Sequence, residues 1–283
     1  MISMSYANAA QAVTAAFAVR FGEDFAVDDS LAGLDQIARM AGRRVTRRFL
    51  EREVDGRMLR LLCACALSAP TKSDLQQADI LIVADRQKRN VIADLIPDQP
   101  FIRTAPAFLV FLANGLRLPA IARLRGKPFP NDHLDLFFNA TVDAAIALAA
   151  FVYAADAVGL GTCPISVIRD HCARVAELLE LPERVIPVAG MCVGWPAEPG
   201  HISPRLPLAC TVHTDRYDEG DLAARIDAYD RRRAAIHPHR ERDPARWGTA
   251  PFYGWSEDKA RQYGVPQRTD FGAFVRSRGF CLD

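Results

Sequence analysis

Asp132–Ser166 reads DHLDLFFNATVDAAIALAAFVYAADAVGLGTCPIS, and the fold turns on this stretch. Leu136, Phe137, Ala140, Ala144, Leu148, Phe151 and Val152 recur at helical spacing, yet they spread round much of the circumference. A helix apolar on most sides is buried on most sides. Asp132–Val158 is therefore predicted to be the central helix of the fold. Gly159 and Gly161 end it, because glycine accepts the backbone conformation in which helices stop. The longest apolar run inside it, Ala144–Ala155, is too short to span a bilayer and carries Tyr153.

Outward from this helix, DILIVA at Asp79–Ala84 and AFLVFLA at Ala107–Ala113 read as buried strands. VIPVAGMCV at Val185–Val193 reads as a third, interrupted by Pro187. Asp55 is a helix N-cap for a segment running to about Ser68, with Met58, Leu59, Leu62 and Ala66 at helical spacing. Asp85–Leu95, Leu116–Arg125 and His171–Leu181 read as further helices, and Gly126–Asp132 as a loop. Strands and helices do not alternate regularly, which favours an α+β class over a doubly wound sheet. The ends are different in character. Residues 1–35 are Ala-rich, with helical periodicity in Ala7–Val19, and read as an N-terminal helical extension. A short helix is expected at Leu34–Met40, stopping at Gly42. Residues 36–215 form the predicted main domain. Residues 216–283 follow as a charged arm, solvated over Tyr229–Arg246, and two short helices in Ser256–Phe280.

Composition narrows the function classes. The 283 residues are 50% hydrophobic and 24% charged, an ordinary globular mixture. Lys plus Arg number 35 against 34 for Asp plus Glu, a net charge of +1, so no general attraction for nucleic acid or an anionic membrane is expected. The N-terminus shows no basic region followed by an apolar run and cleavage site, so no secretory signal is read. Seven cysteines occur without a C-x-x-C pair, which points to reduced thiols in the cytoplasm rather than a zinc ribbon. His237-Pro238-His239 could chelate a metal, but the six histidines read better as surface or structural groups, and no metal site is assigned. A Rossmann G-x-G-x-x-G, a P-loop and a G-x-S-x-G are all absent.

Three separated segments carry chemistry. Arg43-Arg44-Val45-Thr46-Arg47 places three guanidiniums within five residues, a complement for a phosphate monoester; a solvated basic helix end would carry the same run. Ser68-Ala69-Pro70-Thr71-Lys72-Ser73-Asp74-Leu75-Gln76 is a loop of short donors and acceptors suited to the polar edge of a flat heterocycle, or an ordinary helix-to-strand turn. Ala157–Ser166 has glycines that let backbone approach a planar ligand, or simply a helix cap and turn.

Taken in order, R-R-x-x-R, S-A-P-T-x-x-D-L-Q, G-L-G-T-C-P-I-S, Gly194-Trp195-Pro196 and Pro204-Arg205-Leu206-Pro207 resemble the FMN-dependent nitroreductase family over about Gly42–Pro207. Phe271–Phe280 also resembles the C-terminal helix of its larger, NADPH-preferring members. The resemblance implies a nitroreductase-like α+β fold, a mixed, mostly antiparallel sheet around a long central helix, in an entwined homodimer with two FMN sites. By family pattern Arg43, Arg44, Val45 and Arg47 hold the phosphate and ribityl chain, and Arg205 approaches the same phosphate. Pro70, Thr71 and Asp74 reach the isoalloxazine ring from the other chain. Cys163, Pro164, Ile165 and Ser166 line the ring, and Gln99 is a candidate for its pyrimidine edge. Three positions depart from the family: Arg44-Val45 replaces Ser or His-Ser, Asp74 replaces Asn, and Ser203 stands where a basic residue is common. An ionised Asp only accepts hydrogen bonds, so Asp74 suits a ring N–H.

The implied function is a hydride transfer from NAD(P)H through FMN to an electron-poor small molecule, a nitroaromatic, quinone or flavin, by ping-pong kinetics and with no obligate catalytic side chain. Two alternatives stand beside it. One is a flavoprotein of the same fold with dehalogenase, dehydrogenase or flavin-fragmenting chemistry. The other is a non-catalytic module that binds a phosphate ligand.

Overall fold

The computed structural model describes residues 8–283. Residues 1–7, including Ala7 at the start of the predicted N-terminal periodicity, lie outside the described residues. In chain order the elements are α1 (Ala9–Phe21), α2 (Leu34–Gly42), α3 (Gly56–Leu67), β1 (Ala78–Ile82), α4 (Arg86–Leu95), α5 (Phe101–Thr104), β2 (Ala107–Asn114), α6 (Arg117–Leu124), α7 (Leu134–Ala157), β3 (Gly161–Ile165), α8 (Cys172–Leu178), β4 (Val185–Gly194), α9 (Leu222–Ile236), α10 (Pro244–Trp247), α11 (Trp255–Tyr263) and α12 (Phe271–Ser277). They form two compact units. One joins the chain up to Arg43 with His201–Gln267; the other joins Arg44–Gly200 with Arg268–Asp283.

The second unit is the α+β body. Its strands run in the order β1-β2-β4-β3, and every pairing is antiparallel. Side chains alternate across the sheet with the two-residue strand period. Phe108, Val110 and Leu112 of β2 face one way, onto Ile92 of α4, Ile168 in the 3-10 segment before α8, and Val175 of α8. Leu109 and Phe111 face the other way, onto Leu59 and Leu62 of α3 and Ala147, Phe151 and Ala155 of α7. Phe111 and Phe151 meet edge-on at 5.7 Å between ring centres. α12 closes one end of the sheet, with Val275 and Phe280 against Ala113 and Ile186.

α7 is the predicted central helix. Asp55 caps α3 as expected, its side chain accepting from the Arg57 N–H. After α7, Gly159 takes φ 81°, a left-handed turn that ends the helix. The 24 residues of α7 are by length and composition enough to cross a membrane, which the shorter Ala144–Ala155 run is not. Here Leu136, Ala140, Asp143, Ala144, Ala147, Phe151, Val152 and Ala155 are buried within the protein.

Three local expectations change. Gly161–Ile165, read as part of the segment of glycine cap and turn after the central helix, is strand β3, because pairing with β4 places Gly161 opposite Gly194 and Cys163 opposite Cys192. Pro187 does not break β4. Phe111 pairs with Ala189 and Leu112 with Pro187, so Val188 bulges out and the strand continues past the residue lacking an N–H. His171–Leu181 contributes only Cys172–Leu178 as α-helix.

The first unit is helical. Ala10, Val13 and Ala16 of α1 and Leu34 and Ala41 of α2 are buried, and the rings of Phe17, Phe21 and Phe25 cluster at 4.9–6.4 Å. The predicted solvated arm begins inside α9, and its first residues are not solvated. Tyr229 and Asp230 are buried, Tyr229 lies edge-on to Trp255 at 5.3 Å, and the Asp230 carboxylate accepts from both the N–H and the hydroxyl of Ser256 at the start of α11. The two predicted C-terminal helices are present as α11 and α12.

Candidate functional site

In the second unit, the loop between α3 and β1 is held by one buried acid. Asp143 of α7 is 3% exposed. Its carboxylate accepts from the Thr71 hydroxyl at 2.6 Å, the Lys72 N–H at 3.2 Å and the Gln77 N–H at 3.0 Å. Thr71 Oγ1 in turn accepts from the Gln76 N–H at 2.9 Å. Between these anchors Ser73, Asp74 and Gln76 take φ of 49°, 58° and 53°. Left-handed non-glycine residues cost on the order of 1 kcal/mol or more each and persist only where their surroundings fix them, typically at functional sites. Asp74 Oδ1 accepts from Gln76 Nε2 at 3.0 Å. Pro70 and Thr71 line a cavity of about 280 Å3 with Leu67 of α3 and Asp143 and Ala147 of α7.

The Arg44–Arg47 segment of the same unit runs beside β3. The Thr46 N–H donates to the Thr162 carbonyl at 2.9 Å. A Cβ on Gly161 would lie 2.6 Å from Thr46 Cβ, so this approach requires glycine. Arg44 Nη1 donates to the Pro199 carbonyl at 3.1 Å, and Val45 packs on the core. The Arg47 guanidinium faces Cys163: burial pushes the thiol up, and Arg47 opposes that shift. Cys163 and Ile165 turn their side chains into the core, whereas Pro164 and Ser166 are exposed. What β3 and the residue after it offer a ligand is thus Pro164, Ser166 and main chain. Gln99, between α4 and α5, has a buried Oε1 with no donor.

In the first unit, Arg43 and Arg205 are close enough to repel. Burial, the Arg43 charge and the Arg233 charge push the Arg205 guanidinium below its ordinary range, with Tyr229 opposing. No carboxylate pairs with Arg43 or Arg205 among the described residues. Their backbones are tied by other arginines. Arg20 Nη2 donates to the carbonyls of Ala41 and Arg43, both at 2.8 Å, and the Arg205 N–H donates to the Arg20 carbonyl at 2.6 Å. Arg232 Nη2 donates to the Arg205 carbonyl at 2.6 Å. A cluster of guanidiniums held this way and lacking acids is a ready site for a phosphate.

The sequence profile of the nitroreductase family matches residues 40–195, and that of the nitroreductase family C-terminal domain matches residues 203–283. This chain belongs to the nitroreductase family. An FMN reductase (NAD(P)H) of Bacillus subtilis is 34% identical over 197 residues, 69% of this chain and 79% of that protein. The solved structure of NfrA2 of B. megaterium is 32% identical and superposes with a TM-score of 0.79, covering 88% of this chain and 99% of that one. That of the NADPH:FMN oxidoreductase from Vibrio harveyi complexed with NAD+ is 27% identical, with a TM-score of 0.75 over 87% of this chain and 98% of that one.

Within this nitroreductase-family chain, the structure brings Arg43 to Arg205, Arg47 to Cys163, and Pro70, Thr71 and Asp74 into one shaped loop. Sequence reasoning missed Asp143, Arg20 and Arg232, which hold those segments. Asp143 carried a signal: it is the one charged residue between Asp135 and Asp156 in an otherwise apolar helix. Arg20 and Arg232 carried none, since they bind carbonyls that any residue could supply.

Proposed function

We propose that this chain is an FMN-dependent oxidoreductase that passes a hydride from NAD(P)H to an electron-poor acceptor, a nitroaromatic, quinone or flavin, in a ping-pong cycle. The observation that carries the reading is the Arg43–Arg205 pair, cationic, mutually repelling and without an acid. An FMN phosphate relieves that repulsion. The orphaned Gln99 Oε1 suits an N–H donor such as the pyrimidine edge of the flavin, and so does the acceptor-only Asp74 carboxylate. The residues present therefore fit FMN.

Bound FMN supplies the hydride and electron chemistry. The chain's own residues position it. Arg43, Arg44, Arg47 and Arg205 hold the phosphate end, with Val45 packed beneath. Pro70, Thr71 and Asp74 present their fixed loop to the ring of the partner subunit's site. Pro164, Ser166 and the main chain at Cys163 and Ile165 line the ring, and Asp143 keeps the loop in shape. No side chain is required as acid or base.

The active form is a homodimer, and the seven free cysteines suit a reducing, cytoplasmic compartment. The purified protein is expected to be yellow. Anaerobic titration with NADH and with NADPH is expected to bleach the flavin band, and a nitroaromatic to restore it. A colourless protein, or a flavin band that neither nicotinamide bleaches, overturns the reading.

A further inference from the structure

α1 lies ahead of residue 40, where the match to the family profile begins, and none of the segments assigned to the flavin includes it. Its last turn nevertheless meets the main chain of both Arg43 and Arg205. The Arg20 side chain is buried, and its fork reaches two separate stretches of chain at once. Nε and Nη2 donate to the Ala41 carbonyl at 3.2 and 2.8 Å, Nη2 to the Arg43 carbonyl at 2.8 Å, and Nη1 to the Ser203 carbonyl at 3.3 Å. The Arg20 carbonyl accepts the Arg205 N–H at 2.6 Å. A Cβ on Gly22, the residue that caps the helix, would lie 2.6 Å from Arg232 Cδ. Glycine there lets Arg232 cross the helix end, where it donates to the Val19 carbonyl at 3.0 Å and the Arg205 carbonyl at 2.6 Å.

Arg43 and Arg205 repel each other. Left alone, their segments move apart and must be brought together again when an anion binds. An acid between them would prevent that, but it would also cancel the charge that a phosphate needs. α1 holds their main chain instead. Both guanidiniums keep their charge, and the carbonyl end of a helix carries a partial negative charge that favours nearby cations. A site ordered in advance loses less freedom on binding. Packing of α1 on α2 explains the burial of Ala10, Val13 and Ala16, but it makes no use of a buried arginine.

We propose that Arg20 is a positioning residue for the flavin phosphate, and that α1 thereby makes the site select FMN over its dephosphorylated form, riboflavin. Arg20 fixes the Arg43 and Arg205 segments at close range before a ligand arrives. It does so through the shape of its guanidinium. One planar fork reaches three carbonyls in different directions, which an ammonium on a single atom cannot span. The inference rests on the proposed function, because it takes the Arg43–Arg205 pair as the phosphate site.

The test is fluorescence titration of the full chain, freed of flavin, with FMN and with riboflavin. The unaltered protein is expected to bind FMN roughly a hundred-fold tighter, the value of two charge-assisted contacts. Arg20→Gln removes charge and fork; Arg20→Lys keeps the charge and removes the fork. Each is expected to lower the FMN-to-riboflavin ratio by about ten-fold while riboflavin affinity changes by less than about two-fold. An unchanged ratio in both variants overturns the inference. So does an equal loss for the two flavins, which a purely structural role would give, and so does full rescue by lysine, which would leave charge alone as the cause. Should neither variant fold, hydrogen exchange on the unaltered protein decides. The Arg205 amide is expected to be protected equally with and without FMN, and protection that arises only with FMN overturns the inference. An unaltered protein that binds both flavins equally ends the phosphate-site reading itself, a result obtained before any Arg20 variant is made and thus read separately.

Discussion

At the scale of single residues, the candidate site is organised by charges that never need to touch a ligand. Asp143 spends its carboxylate on three donors of the 71–77 loop. Asp143→Ala leaves the Lys72 and Gln77 N–H groups without their acceptor and is expected to cost about 2–3 kcal/mol in urea unfolding, the range for hydrogen bonds to a charged group. Proteolysis within the loop should accelerate alongside. Asp143→Asn keeps one acceptor oxygen and should fall between the two. Equal stability of all three proteins would show that the loop is held by something else. The arginines assigned to the phosphate differ, because their proposed value lies in binding. Removing one charge-assisted contact is worth on the order of 1.5–3 kcal/mol, so Arg205→Ala and Arg47→Ala should each weaken FMN retention by roughly ten-fold or more. Flavin absorbance after gel filtration measures it, and undiminished flavin in either variant removes that residue from the site. The Arg43–Arg47 run stood out in the sequence because a run of like charges asks for an anion. Arg20 and Arg232 were not, because their partners are backbone carbonyls of remote segments.

At the scale of elements, legibility followed local signal. α7 was visible through its periodicity, and β1, β2 and β4 through their short apolar runs. β3 was hidden because Gly161-Thr162-Cys163-Pro164-Ile165 has the composition of a turn. It is a strand only because β4 pairs with it, a tertiary effect that overrides propensity. α9 was hidden for the opposite reason. Its charged run looks solvated, yet Asp230 is buried because it satisfies the start of α11, and only the fold brings Ser256 to it. The glycine at the head of β3 ties element to site. Gly161→Ala forces its Cβ against the Thr46 side chain and is expected to separate Thr46 from Thr162, at a cost of about 1–3 kcal/mol for overpacking. Hydrogen exchange should report it: the Thr46 amide, protected by the Thr162 carbonyl, should lose protection while the amides of β2 keep theirs. An unchanged Thr46 amide would mean that the arginine segment is placed independently of β3.

At the scale of the whole molecule, two properties follow from surface chemistry. The first is acid sensitivity. Arg184 binds Asp132 through two bonds of 2.7 Å, and that hydrogen-bonded contact holds the Asp132 carboxyl below the usual carboxylate range. A carboxyl whose value is lowered on folding adds stability that is complete above its unfolded value, near 4, and is lost as pH falls through the folded one. The melting temperature should therefore drop below about pH 4, and Arg184→Gln should flatten that drop. The second property is association. α7 leaves Leu134, Phe138 and Val142 exposed at four-residue spacing, a single stripe, with Tyr153 further along; α3 leaves Leu61 and Leu67 exposed. Phe138 is 60% exposed. Scattered apolar residues on a surface need no explanation, but an aligned stripe on the central helix of the body suits a protein interface. If a second copy covers it, as the proposed homodimer requires, Phe138→Asp places a charge in that interface without touching the core. Light scattering after gel filtration should then give a monomer. The same fraction should have lost its absorbance near the flavin band, because each ring is assigned a loop from the partner. A dimer that survives the substitution would place the interface elsewhere. A monomer that keeps stoichiometric flavin would confine the cofactor to one chain and end the shared-site reading.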